Sequence, residues 1–392
     1  MIFLKHRKEC IFPTRKMFIA MIYLDNAATT KPSEAACKAV CACMTESFGN
    51  PSSLHTLGIE AQNVLDCSRS IIAKALSCEP DCIFFTSGAT ESSNLAVFGA
   101  VGAYGKRKRR IITSSVEHSS IKETMLSLEN QGFEIVRVSP QTPPEEICAL
   151  ADENTCLISM MCVNNETGHI LPIKTLFNSI KRRFPHIITH CDTVQGFMKL
   201  PIKADDIKAD LISLSAHKIY GPKGTGALYI RKGVRVLPLI LGGKQEKGIR
   251  SGTEAVPLIA GFGATVRELI PTIKERFNYV VALKAHLLDE LSSLDGVTVN
   301  SPDDASPYIV NISVEGYRSE IMLHFLEERK IYVSSGSACS KGAKSGVLSE
   351  FGMNDRLADS ALRISFSPEN TTEDIDALVS AIAEGQAKIR KK

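Results

Sequence analysis

Residues 211–224 read LISLSAHKIYGPKG, an apolar run that leads into a turn. Its first part, Leu211–Ser215, is an apolar run of strand length, and its second part is a polar turn with glycine and proline. A short apolar run bounded by turn residues is typical of a buried strand. A lysine, Lys218, follows the run directly. We therefore expect a sheet whose strand ends carry polar side chains.

The same pattern recurs from about residue 60 to residue 260. Short apolar runs alternate with longer amphipathic stretches, which is typical of β-α units that form a mostly parallel sheet. We predict seven strands: Ile83–Thr86, Arg110–Thr113, Glu134–Val138, Cys156–Met160, Ile187–His190, Leu211–Ser215 and Gly226–Ile230. Ligands of open α/β sheets bind at the carboxyl ends of the strands. The turns after these strands are therefore where a site is expected.

The pattern changes after Pro257. A helical stretch from about residue 260 to residue 294 precedes strands predicted at Ile309–Ser313 and Ile331–Ser334 and a final helix from Thr372. This order indicates a second, smaller α+β domain, and a chain of 392 residues is long enough for two. No low-complexity linker separates the two parts, so we expect them to pack tightly.

The predicted domain organisation has three parts. Residues 34–260 form the large domain, and residues 21–33 together with residues 261–392 form the small one. Residues 1–20 carry five basic residues among short apolar stretches. They lack the pattern of a secretory signal, and we expect an extension that is disordered or that precedes the true start.

Composition limits the classes of partner. Forty-six basic and 43 acidic residues leave a net charge of +3, which gives no general electrostatic reason to expect direct binding of nucleic acid. The basic run Lys106–Arg110 is interpreted as a solvated loop that enters a strand, and the alternative is a docking patch for an acidic partner or tRNA. No apolar stretch approaches the length of a membrane span. Twelve cysteines without a framework of spacings favour a reducing, cytoplasmic location.

Three strand ends carry residues that suit one kind of chemistry. Lys218, at the end of a buried strand and beside a glycine-rich turn, can be kept neutral enough to form an imine with an aldehyde. Asp192 follows another strand, and a carboxylate there can pair with a protonated pyridine nitrogen. The turn 86–91 (TSGATE) opens a helix, and its hydroxyls and N–H groups suit a phosphate. Each residue also has a structural interpretation, with Thr90 and Asp192 as helix caps, His118 as a structural histidine and Arg363 in a surface ion pair.

Nine separated motifs make the sequence similar to a known family. From residue 22 to about residue 385 it resembles the cysteine desulfurases of the NifS/IscS type, and no single motif would be specific alone. The motifs, in chain order, lie at residues 23–30 (YLDNAATT), 48–53 (FGNPSS), 86–91 (TSGATE), 117–118 (EH), 163–168 (VNNETG), 192–195 (DTVQ), 215–223 (SAHKIYGPK), 250–253 (RSGT) and 335–340 (SGSACS).

The resemblance implies a fold-type I pyridoxal-phosphate (PLP) enzyme with a seven-stranded, mostly parallel sheet. Lys218 would hold the cofactor, Asp192 would pair with its ring nitrogen and His118 would stack on the ring. Gln195 and Asn165 would lie near the phenolic oxygen or the substrate carboxylate. The resemblance implies further roles for a phosphate-binding set and a carboxylate-binding arginine: Ala89, Thr90, Ser215 and His217 for the phosphate, Thr253 for the same phosphate from the other subunit of a homodimer, and Arg363 for the carboxylate.

The resemblance also assigns a nucleophile, Cys339. Its thiolate would take the sulfur of L-cysteine as a persulfide, with Lys218 as the base at Cα and His118 as the acceptor or relay for the thiol proton. The small and polar residues around Cys339 predict a mobile loop, against the alternative of a buried, inert cysteine. Such a loop resembles those of desulfurases that supply iron–sulfur scaffolds and tRNA-thiolating enzymes. No metal is expected, except transient ligation of an iron–sulfur cluster by Cys339.

Two other functions are left open by the sequence. One is a selenocysteine lyase or another PLP-dependent β-lyase. The other is a sulfur-relay platform without catalysis, against which the presence of Lys218, Asp192 and Cys339 argues.

Overall fold

The computed structural model describes residues 21–335 and 346–391. The elements up to residue 269 are β1 (Ile22–Tyr23), α1 (Glu34–Thr45), α2 (Thr56–Leu76), β2 (Ile83–Thr86), α3 (Ala89–Tyr104), β3 (Arg110–Ser114), α4 (Ser119–Glu129), β4 (Glu134–Val138), α5 (Pro144–Leu150), β5 (Thr155–Met161), α6 (Ile173–Arg183), β6 (Ile188–Asp192), α7 (Ala204–Ile207), β7 (Leu211–Ser215), β8 (Gly226–Ile230) and α8 (Val256–Leu269). The remaining elements are α9 (Ile273–Ser292), β9 (Val297–Val299), β10 (Ile309–Val314), α10 (Ser319–Glu328), β11 (Ile331–Tyr332), β12 (Ser334–Ser335), α11 (Gly346–Glu350), α12 (Asp355–Asp359), β13 (Ala361–Ser365) and α13 (Thr372–Lys388).

Seven strands form the large sheet, in the order β2-β8-β7-β6-β5-β3-β4. Strand β8 is antiparallel to both of its neighbours, and the other adjacent pairs are parallel. All seven strands were predicted, with ends that agree to within two residues. The predicted fold class, α/β with a mostly parallel seven-stranded sheet, is confirmed.

Helices cover both faces of this sheet, which explains its continuous apolar runs. Because side chains alternate between faces, adjacent residues of one strand enter different cores. Ile111, Leu157 and Leu211 belong to one buried cluster, and their neighbours Ile112, Ile158 and Ile212 belong to the other. The sheet is therefore buried on both sides, and its strand ends are left to carry the site.

A second sheet has four antiparallel strands in the order β12-β13-β10-β9. A third core lies between this sheet and helices α9, α10 and α13. Strand β1 pairs in parallel with β11, so the start of the described chain joins the later elements. Asp25 extends this connection through a bridge to Ser365 at the end of β13. The domain boundaries given above stay a prediction.

The helical stretch predicted from residue 260 to residue 294 is two helices. It starts earlier, at Val256, and a short 3₁₀ turn, Ile270–Thr272, separates α8 from α9. Pro271 lies in that turn, and proline removes a helical hydrogen bond and clashes with the preceding turn. By length and composition, Val256–Ser292 could cross a membrane, but half of its most apolar window is buried inside the protein, as is common for core helices.

The basic run Lys106–Arg110 leads into β3, as predicted. Arg109 lies over the ring of Phe133, and Arg110 pairs with Glu134 at 2.9 Å and Asp152 at 2.6 Å. These contacts support a solvated loop that is held by its neighbours.

Candidate active site

A cavity of about 640 Å³ lies where several strand ends meet. The ends of β2, β6 and β7 contribute to it, together with the segment around Asp25 and with β13. Ten predicted site residues line this cavity: Ala89, Thr90, His118, Asn165, Asp192, Gln195, Ser215, His217, Lys218 and Arg363. Thr253 is exposed and does not line it. Cys339 lies outside the described residues.

Lys218 is held at the cavity by backbone carbonyls. It ends a 3₁₀ turn, Ala216–Lys218, that directly follows β7. Its Nζ donates to the carbonyl oxygens of Ala27 and Ala28, each at 2.7 Å. The N-terminal segment therefore positions the amine for reaction with a bound aldehyde.

Asp192 is a buried carboxylate at the end of β6, with 6% of its surface exposed. Its Oδ1 accepts a hydrogen bond from the backbone N–H of Val194 at 2.9 Å. Burial raises the pKa of this carboxyl, and the Val194 hydrogen bond and the charges of His118 and Lys218 oppose that change. A buried carboxylate of this kind favours a cationic partner, which a protonated pyridine nitrogen would supply.

His118 caps the N-terminus of α4 with its ring. Its Nδ1 accepts a hydrogen bond from the backbone N–H of Ser120 at 3.2 Å and lies 2.9 Å from the Ser120 hydroxyl. Burial lowers the pKa of His118; Lys218 and Lys122 act in the same direction, and Asp192 opposes them. Because Nδ1 is the acceptor, the neutral ring carries its hydrogen on Nε2. Uptake of a thiol proton at Nδ1 would therefore break the hydrogen bond that caps α4. The role of His118 as a proton relay stays a prediction.

Two buried hydroxyls face the cavity without a partner. Ser215 Oγ and Thr225 Oγ1 have no hydrogen-bond partner among the described residues, and both residues line the cavity. Buried polar atoms are normally hydrogen-bonded, so the two hydroxyls indicate an absent polar ligand. The N-terminus of the 16-residue helix α3 opens on the same cavity at Ala89 and Thr90.

The residue before α3 leaves room for that ligand. Gly88 has φ +151°, a conformation that favours glycine, and a Cβ added there would meet no atom of residues 21–335 or 346–391 within 4 Å. Helix N-termini attract anions, and two free hydroxyls add hydrogen-bond donors. This part of the cavity therefore fits the phosphate of PLP.

His217 and Thr29 close the same region. His217 Nδ1 lies 3.1 Å from Thr29 Oγ1. Burial lowers the pKa of His217 to about 4, and Lys218, Lys223 and Lys199 act in the same direction. His217 is therefore neutral at physiological pH and can serve as a hydrogen-bond partner without charge.

Arg363 is buried in β13, so its interpretation as a surface ion pair is wrong. It is 7% exposed, its Nη2 donates to Asp25 Oδ1 at 2.8 Å and its Nη1 donates to the carbonyl oxygen of Asn165 at 3.0 Å. Its Nε is buried and has no partner among the described residues. The guanidinium is therefore fixed by two contacts and keeps donor capacity for a carboxylate in the cavity.

Gln195 connects the cavity with a residue that the sequence did not indicate. Its Nε2 donates to the carbonyl oxygen of Ala27 at 2.9 Å, and its Oε1 accepts from Lys199 Nζ at 3.2 Å. Lys199 carried no sequence signal beyond its place four residues after Gln195. Asp25 lies in the motif at residues 23–30 but received no role, and Thr225 was also missed.

The fold and this cavity define a PLP-dependent enzyme of fold type I. A lysine at a strand end, a buried aspartate and an anion site lie together, as this chemistry requires. A model of the aminotransferase class-V family matches residues 22–378, and the chain belongs to that family. The predicted cofactor, PLP, is confirmed with it.

Curated relatives and solved structures agree with this assignment. The chain is 40% identical to a NifS/IcsS protein homolog of Lactobacillus delbrueckii subsp. bulgaricus over 93% of this chain and 97% of the relative. It is 37% identical to cysteine desulfurase IscS of Methanosarcina thermophila over 94% and 93%. A solved NifS-like protein superposes with a TM-score of 0.89 at 36% identity, covering 94% of this chain and all of that one. The structure described as SspA in complex with cysteine gives a TM-score of 0.79 at 33% identity, covering 89% and 100%. The resemblance to the NifS/IscS cysteine desulfurases is thereby confirmed.

Proposed function

We propose that this enzyme is a cysteine desulfurase that converts L-cysteine to L-alanine and holds the sulfur as a persulfide on Cys339. The observation that carries the proposal is one cavity lined by Lys218, Asp192 and Arg363 and also by Ser334, five residues before Cys339. Five residues span at most about 18 Å, so the chain length permits Cys339 to reach this cavity.

Each residue has a role in the proposed reaction. Arg363 binds the substrate carboxylate, and Lys218 removes the Cα proton and returns protons to carbon. PLP, when bound, supplies an electron sink for the negative charge at Cα, with Asp192 at its ring nitrogen. The Cys339 thiolate attacks the substrate sulfur, so that an S–S bond forms while the Cβ–S bond breaks. The electron pair of the broken bond stays on carbon, which is protonated and leaves as L-alanine.

A homodimer and a sulfur acceptor complete the proposal. Arg250, at the start of the motif 250–253, pairs with Glu91 in the first turn of α3 at 2.9 Å. This contact holds the exposed Thr253 segment beside the phosphate region, where a second copy of the chain could receive it. The acceptor would be an iron–sulfur scaffold or a tRNA-thiolating enzyme, and the location would be the cytoplasm.

The test compares Cys339→Ala with Cys37→Ala, because Cys37 is an exposed cysteine on α1 outside the cavity. We expect Cys339→Ala to lose L-alanine and sulfide formation from L-cysteine while it keeps the visible absorption of bound PLP, and Cys37→Ala to keep both. Full cysteine turnover by Cys339→Ala would contradict the proposed nucleophile. Faster selenide release from selenocysteine than sulfide release from cysteine would favour the lyase alternative.

A further inference from the structure

Lys199 is a buried lysine beside the candidate active site. Its residue is 4% exposed, its Nζ donates to Gln195 Oε1, and its ammonium lies 5.5 Å from the centre of the Tyr308 ring. On another side it borders a second, mainly apolar cavity of about 650 Å³. Burial of an ammonium group has a large free-energy cost, so a function is needed to explain a lysine at this position.

The charges around Lys199 do not explain its position. The charged groups with the largest effect on it are the cations of Lys218 and Arg363, and the Cys162 thiol acts weakly in the opposite direction. Burial, Lys218 and Arg363 together lower the pKa of Lys199 to about 7. A simple structural role would be served better by an apolar side chain of the same length.

Its contact with Gln195 fixes the direction of an amide. An amide group has an acceptor oxygen and two N–H donors. The oxygen of Gln195 accepts from Lys199, and one N–H donates to the carbonyl oxygen of Ala27. A rotated amide would place two donors, the NH₂ group and the ammonium, against each other. The protonated form of Lys199 therefore excludes the rotated amide and leaves the second N–H of Gln195 for a group in the cavity.

The same contacts reach Lys218. Ala27 accepts hydrogen bonds from both Gln195 Nε2 and Lys218 Nζ, so a continuous series joins Lys199, Gln195, Ala27 and Lys218. Lys199 is therefore separated from the residue proposed to hold the cofactor by only two intermediate contacts, Gln195 and Ala27.

We infer that Lys199 is a positioning residue that, in its protonated form, directs a Gln195 N–H to the phenolic oxygen of the cofactor and raises the positive potential there. The inference rests on the proposed placement of Gln195 beside that oxygen. A donor and a positive potential at the phenolic oxygen lower the proton affinity of Lys218 Nζ, the nitrogen that joins the lysine to the cofactor. Their removal should therefore raise the pH at which this nitrogen loses its proton.

The test is a pH titration of the visible absorption of the PLP-loaded enzyme without substrate. Lys199→Met keeps an unbranched side chain that is one atom shorter, and it removes the charge and the donor. We expect its absorption midpoint to move upward by about one pH unit, a tenfold change in proton affinity. Lys199→Arg should return the midpoint toward that of the unmodified enzyme. Lys203→Met, which changes an exposed lysine of the same segment bound to Ser77, should leave it unmoved.

An unchanged or lowered midpoint in Lys199→Met, with the cofactor bound, would overturn the inference. If that variant fails to fold, Lys199→Gln, which keeps a donor without the charge, carries the same expected direction. Because the titration needs no cysteine, its failure is separate from failure of the desulfurase proposal, which cysteine turnover by the unmodified enzyme reports.

Discussion

Arg363 and Asp25 form a partly buried ion pair of 2.8 Å across 338 positions of sequence. Arg363 belongs to β13, and Asp25 belongs to the short segment that follows β1. The same segment supplies Ala27 and Ala28, which accept hydrogen bonds from Lys218. The segment at residues 25–28 therefore contacts both Arg363, proposed to bind the substrate, and Lys218, proposed to hold the cofactor.

Arg363→Lys should weaken binding of L-cysteine. A lysine cannot contact Asp25, the Asn165 carbonyl and a carboxylate in the planar arrangement of a guanidinium. Loss of a charge-assisted hydrogen bond costs about 1.5 to 3 kcal/mol, so KM should rise roughly 10- to 100-fold, with a smaller fall in kcat. Steady-state kinetics measure this, with Arg329→Lys, a surface residue paired with Glu384, as the control. Equal KM values for the two variants would contradict the role of Arg363.

Ser215→Ala and Thr225→Val, which remove the hydroxyls and leave the rest of each side chain in place, should each weaken cofactor binding without weakening the apoenzyme. Both hydroxyls are buried and have no partner among the described residues, so their removal costs the apoenzyme no hydrogen bond. A hydrogen bond to a charged phosphate is worth about 1.5 to 3 kcal/mol, and the Kd for PLP should rise about tenfold or more. Titration of the apoenzyme with PLP and urea unfolding of the same protein measure the two quantities. Ser70→Ala, on the exposed face of α2, is the control, and an unchanged Kd in both test variants would place the phosphate elsewhere.

Most residues that line the cavity could be predicted from the sequence, because the patterns that mark strand ends and turns are local. The strands are the continuous apolar runs that two covered faces require, and Asp192, Ser215 and Lys218 stand at or just after strand ends. Family motifs then supplied roles that spacing alone could not. The position of Pro271 also carried a local signal, but the apolar pattern on both sides of it predicted one helical stretch.

The parts that the sequence did not indicate depend on distant contacts or on burial. Nothing near Asp25 in the chain indicates a partner 338 residues away. Nothing in the sequence around Lys199 distinguishes it from an ordinary surface lysine, and its contacts with Tyr308 and Gln195 form only in the folded chain. Glu117 belongs to the motif at residues 117–118, and nothing in that motif indicates that its side chain is only 2% exposed. Burial of a charged residue is a property of the assembled fold, which periodicity does not report.

Glu117 should make stability fall as pH rises. Its Oε1 accepts from the Ser114 hydroxyl at 2.5 Å and from the Met161 N–H at 2.8 Å, whereas its Oε2 has no partner among the described residues. Burial raises the pKa of Glu117 to about 8, from 4.5. Since the folded state holds this proton more tightly, the stabilisation is complete below about pH 4.5 and is lost as pH rises through about 8.

Glu117→Gln removes that titration. The free energy of unfolding of the unmodified protein should fall relative to that of Glu117→Gln between pH 5 and pH 9, by an amount on the order of a few kcal/mol. Urea unfolding of both apoenzymes at several pH values measures the difference. Parallel pH profiles would show that Glu117 does not hold a proton in the folded protein.

Gly226→Ala should damage the phosphate region through the backbone. A Cβ at this first residue of β8 would lie 2.5 Å from the Leu214 carbonyl oxygen and 2.8 Å from the Gly88 Cα. Neither is the end of a flexible side chain, so β8 would have to move away from β7 and from the start of α3. Such overpacking costs about 1 to 3 kcal/mol, and the displaced Gly88 turn should raise the Kd for PLP. Gly346→Ala is the matched control, because a Cβ there meets no atom within 4 Å in the part of the chain that the structure describes. Urea unfolding and PLP titration of both variants measure the two effects. Equal free energies of unfolding and equal Kd values for the two variants would mean that β8 can shift without disturbing the start of α3, on which the proposed phosphate site depends.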